Sequence, residues 1–138
     1  MTDEEIARVA RGFLDGTLPK AEWTHGAHFA TALWLMRAYP DAESEMPDRI
    51  RRYNASVGGV NSDIMGYHHT ITLASLRMAR RVLAGLPLDV RIDHAFAVLM
   101  ASPLGDKDWP FAYWSRDRLL CVAARRDWVE PDIAPLPT

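Results

Sequence analysis

Along most of this chain the apolar residues return every three or four positions. Nowhere do they alternate with polar ones long enough to build a strand, so the pattern selects helices packed on helices. Ile6, Val9, Ala10, Phe13 and Leu14 follow that spacing behind Thr2 and Glu5, which form a capping box, so a helix over 2–15 closed by Gly16 is expected. Thr24 as N-cap opens a second helix through Ala27, Ala30, Leu33, Leu35 and Met36 to Tyr39, where Pro40 ends it. A third segment over 41–56 carries Ile50 and Tyr53 at helical spacing, but Pro47 has no N–H for a helix interior and leaves its start open. Gly58, Gly59, Asn61, Ser62, Asp63 and Gly66 make 57–66 a loop. Ile71, Ala74, Met78 and Val82 predict a helix over 67–84 stopped by Gly85. A fifth, over 88–101, should bury Val90, Ala95, Val98 and Leu99 and close at Ser102 and Pro103. Ser115 caps a last piece through Leu119, Leu120 and Ala124, with an extended C-terminal tail from about 129. The expectation is an all-α single domain over 1–138, an irregular bundle of five or six helices.

Composition narrows the partners. Sixteen basic and eighteen acidic residues give a net charge of −2, without the positive field that gathers phosphate backbones, so no nucleic-acid partner is expected. The apolar runs 29–36 and 95–101 are far short of a bilayer span, and no membrane partner is expected either. Cys121, the single cysteine, has no internal disulfide partner, and the start Thr2-Asp3-Glu4-Glu5 is the reverse of a basic signal-peptide region. Both fit a reducing cytoplasm; homo-oligomerisation stays open.

Four of the five histidines fall in two tight groups, His25 with His28 and His68 with His69. On a helix capped by Thr24, His25 and His28 share a face in the first turn and could chelate one ion. A third nitrogen would complete a divalent metal site, zinc for example, that activates water for hydrolysis of a small molecule. His68 is preferred to His69, because Ile71, Ser75, Met78 and Val82 continue its helical face. Tyr67 and Asn54 are candidates to orient a reacting group, and Glu22 and Asp63 are further candidates to steady an imidazole or a water. The competing reading is a metal-free module for a small ligand or a protein partner, with structural histidines. In it Trp23 at N′ and His28 at N4 form a hydrophobic staple, and the helix N-terminus keeps the imidazole neutral. A third is metal-free acid–base work by His28 or His68. His94 stands apart and reads as a helix-surface residue.

Trp109, Phe111, Tyr113 and Trp114 could line an apolar pocket with Trp23 and Trp34, and Trp23, Asn54, Tyr67 and Tyr113 are the ligand-binding candidates. The glycine loop lacks any phosphate-loop or dinucleotide pattern. Arg51/Arg52, Arg80/Arg81 and Arg125/Arg126 read as solvated helix faces, Cys121 as an inert buried thiol, and no hydroxyl sits in a nucleophile elbow.

The string Glu22-Trp23-Thr24-His25-Gly26-Ala27-His28, then Asn54, then Gly66-Tyr67-His68-His69-Thr70 resembles an uncharacterised family of short helical proteins with E-W-T-H-x-A-H and G-Y-H-x-T motifs. The likeness extends to Tyr113, Ser115 and the ending Trp128-Val129-Glu130-Pro131-Asp132, nearly the whole chain after the first helix. It implies that His25, His28 and His68 act as one group with Asn54 and Tyr67 nearby, and it implies no substrate. Similar sequences are expected to carry glutamate in place of His69 and serine in place of Cys121, departures that make His69 a doubtful ligand.

Overall fold

A computed structural model describes all 138 residues, as helices joined by turns and without a strand. Seven α-helices follow in order: α1 Asp3–Asp15, α2 His25–Ala38, α3 Ala42–Ser56, α4 His69–Ala84, α5 Ile92–Ala101, α6 Arg116–Leu119 and α7 Val122–Arg126. Three short 3₁₀ turns, Lys20–Glu22, Pro103–Gly105 and Trp109–Ala112, shape the connections. The all-helical architecture is as expected. The count exceeds five or six because the piece after Ser115 breaks in two at Leu120 and Cys121.

Local chemistry sets the helix ends. Thr2 and Glu5 satisfy each other's backbone N–H groups at the start of α1, and Gly16 stops it in the left-handed conformation (φ 72°). Thr24 accepts the Ala27 N–H at 3.2 Å and opens α2. Helix α2 is the centre of the fold, packed against α1, α3, α4 and α5. An unbroken buried run from Phe29 to Leu33 shows it enclosed on all sides. Around it lies one cluster of 26 buried apolar residues, from Ile6 on α1 to Leu119 on α6.

Several boundaries differ from expectation. Pro47 lies inside α3, in its second turn, where the missing N–H costs the helix one bond near its exposed start. Helix α4 begins at His69 and not at Tyr67, because His68 is its N-cap, with extended backbone and a side chain that accepts the Ile71 N–H. Helix α5 begins at Ile92 and not at Leu88: the Val90 N–H turns back to the Pro87 carbonyl, and an Asp3 carboxylate oxygen takes the Asp93 N–H at 2.7 Å. Its buried face is Ala95, Phe96 and Leu99, while Val98 is exposed.

Cys121 is neither buried nor inside a helix. It is exposed and caps α7, its sulfur accepting the Ala124 N–H. The tail is extended as expected and well anchored. Trp114 Nε1 donates to the Val129 carbonyl at 3.0 Å, the Ser115 N–H and hydroxyl both donate to Asp132, and Leu136 packs on the core. No helix is long and apolar enough to cross a membrane.

Candidate functional site

Helices α2, α3 and α4 diverge around a cavity of about 480 Å³, closed at one end by the 3₁₀ turn at Trp109 and on another side by the glycine loop. Its size is that of a small-molecule site. His25, His28 and Phe29 enter it from α2, Ile50, Tyr53 and Asn54 from α3, Tyr67 and His68 from the approach to α4, and Ser75 and Leu76 from α4 itself. The walls are mostly apolar, with Trp23, Trp109 and Phe111 adding aromatic surface.

The three histidines singled out by spacing therefore meet, but each holds different partners. His25 Nε2 donates to the Leu104 carbonyl at 2.7 Å. His68 Nε2 donates to the Leu119 carbonyl at 2.8 Å while its Nδ1 accepts the Ile71 N–H at 3.2 Å, so both nitrogens are spent and the neutral tautomer is fixed. Burial lowers the His68 pKa, and the bond to Leu119 opposes that shift more weakly. No three His, Cys, Asp or Glu side chains stand together as a ligand set. His25, His28 and His68 all line the one cavity, and two of the three hold a backbone carbonyl through Nε2.

His28 is the exception among them. Its ring stacks on Trp23 with centroids 4.0 Å apart, the staple contact, and Trp23 in turn stacks on Phe13 at 4.7 Å. Its side chain is nonetheless exposed, because it forms part of the cavity surface, although protein surrounds the site on most sides. Desolvation, reinforced by the neighbouring His25, lowers the His28 pKa to about 4. Near neutral pH His28 is uncharged, and neither ring nitrogen has a partner within the protein. One nitrogen can donate and the other accept, so a neutral imidazole faces the cavity with both capacities free.

Tyr67 and Asn54 also line the cavity, each already committed to a neighbour. The Tyr67 hydroxyl bonds His69 Nδ1 at 2.8 Å, and the Arg51 guanidinium lies 4.2 Å from its ring centre. Burial raises the Tyr67 pKa, so the phenol stays protonated. Asn54 Nδ2 donates to Asn61 Oδ1 at 3.1 Å, and the Asn54 carbonyl accepts the Gly59 N–H at 2.7 Å. Asn61 Oδ1 also accepts the Tyr67 N–H, and Asn61 is the knot of the loop. Gly66 there has φ 81°, and a Cβ would fall 2.3 Å from the Val60 carbonyl oxygen.

Other expectations resolve by place. Tyr113 does not line the cavity; its ring packs between Trp109 and Trp114, and its carbonyl receives the Ile133 N–H at 2.9 Å. Trp34 and Trp114 lie outside too, Trp114 being fully buried. Glu22 pairs with Arg8, and Asp63 with Arg126. The Arg125/Arg126 pair is a clamp on the glycine loop, since Arg125 also donates to the Gly66 carbonyl at 2.9 Å. Among the cavity residues that escaped the reading of the sequence are its two cations, Lys20 and Lys107, the only lysines among the sixteen basic residues. Their rarity was the available signal.

No family model, curated protein or solved structure matches the chain.

Proposed function

We propose that the protein binds one small, largely apolar molecule in this cavity, with neutral His28 as its hydrogen-bonding anchor and with no metal ion. The observation that carries this reading is His28 itself, a residue of the cavity lining whose ring nitrogens have no partner within the protein while its two companions are tied to carbonyls. A bound hydroxyl, amide or carbonyl can pair with the free donor or acceptor nitrogen of that imidazole. An imidazole with a pKa of about 4 is a weak proton acceptor near neutral pH, which favours binding over general-base catalysis. The aromatic surfaces of Trp23, Trp109 and Phe111 supply apolar contact with few rotatable bonds.

Decan-1-ol is the probe for this reading, followed by calorimetry and by the fluorescence of Trp23 and Trp109 in the wall. One molecule is expected per chain, with binding abolished in Ser75→Phe, which fills the cavity from α4, while the thermal midpoint shows that variant folded. No decanol binding, or binding that Ser75→Phe leaves intact, would sink the proposal.

A further inference from the structure

The two lysines add the ligand's charge. Resting on the cavity reading above, we infer that the cavity takes an anionic amphiphile, a carboxylic acid whose carboxylate is held by Lys20 and Lys107, whose mostly apolar body lies against the aromatic walls, and which carries the further polar group that His28 anchors. The chain otherwise uses arginine for its basic residues, and both of its lysines line this one cavity. They come from different parts of the chain, Lys20 from the 3₁₀ turn before α2 and Lys107 from the segment before Trp109, 87 positions apart, and line the same cavity.

Neither ammonium has an ion-pair partner in the protein, whereas seven arginine–carboxylate pairs account for much of the remaining charge. No aspartate or glutamate lines the cavity. Asp106 and Asp108 flank Lys107 in the chain but stand outside the lining, with Asp106 Oδ1 accepting the Asp108 N–H at 2.9 Å. Glu22, next to the Lys20 turn, is taken by Arg8 at 2.9 Å. In a protein of net charge −2, a cavity with two cations and no anion is a local departure from the average. Both lysines are exposed, which puts the charged end of the site at its mouth, where long flexible stems can follow a carboxylate without leaving water. His28 and His68 in the same lining are neutral near pH 7, so they add no second charge to the site and favour an uncharged body.

Three ten-carbon probes separate head charge from cavity binding: decanoate, decan-1-ol and decylammonium, each titrated calorimetrically at low salt near pH 7.5. Decanoate should bind about tenfold more tightly than decylammonium, two exposed cations each contributing a screened fraction of that ratio. The Lys20→Gln/Lys107→Gln double variant should bring the ratio close to unity, and added salt should narrow it. Decanol binding with no preference between the charged probes, or a preference that survives in the double variant, overturns the charge inference and leaves the cavity reading standing. Failure of all three probes overturns both.

Discussion

Protonating His28 would place a cation beside His25 and against the Trp23 ring, in surroundings that desolvate the charge. The folded protein resists this until about pH 4, whereas the free side chain titrates near 6.5. Between those values the unfolded chain binds the extra proton and the native state does not, so stability must fall as pH drops through that window. The contribution is complete above pH 6.5, and His68, whose pKa is also lowered, acts in the same direction. The urea midpoint should therefore decline between pH 7 and pH 4.5, and His28→Phe, which keeps the stack on Trp23, should shallow that decline. An identical acid limb in the variant would show that His28 does not supply it. At this scale the sequence was partly legible. The His28–Trp23 contact follows from N′ and N4 spacing, and the grouping of three histidines is visible in their motifs. The roles of His25 and His68 were not, because each is set by a carbonyl far along the chain, Leu104 and Leu119 respectively. Such partners leave no mark on local spacing.

Capping decides where the helices of this fold begin, and the caps differ in quality. Thr2, Thr24 and Ser115 are ordinary hydroxyl caps and were readable as such, whereas His68 and Cys121 do the same work with an imidazole nitrogen and a sulfur. Apolar spacing carries no mark of an unusual cap, so by itself it sets the start of α4 two residues early and places Cys121 within a helix. Long-range contacts shift the remaining boundary: the start of α5 waits for Asp3 on α1 to receive the Asp93 N–H. A serine at position 121 would cap α7 with a better acceptor. Cys121→Ser should accordingly leave the protein as stable or slightly more so. Cys121→Ala, which removes the acceptor of the Ala124 N–H, should cost about 1 kcal/mol or less in urea unfolding. Equal stability of the serine and alanine variants would show that the sulfur is not an effective cap.

Across the whole molecule, the aromatic end of the cavity depends on a segment with little helix of its own. Trp109, Phe111 and Leu119 reach the cavity from the 3₁₀ turn and α6, and this region is held from behind by the C-terminal tail. The helical bundle was legible because apolar spacing, caps and breakers mark α1 to α5 along the chain. This cavity wall was not, since it is assembled by hydrogen bonds from residues 129–133 to residues 113–115. The tail is thus structural despite its extended, proline-rich character. Removing residues 129–138 takes away the Val129 carbonyl and leaves the indole N–H of fully buried Trp114 without its acceptor. It also takes away both Ser115 bonds to Asp132 and the packing of Leu136. The orphaned indole alone should cost about 1–3 kcal/mol, and the lost apolar contact adds to it. Truncation should therefore lower the urea midpoint and weaken decanol binding together, while hydrogen exchange speeds up first over 109–126 and leaves central α2 protected. Uniform loss of protection across α2 would instead make the tail part of the global folding unit, and unchanged decanol affinity would separate the cavity wall from its support.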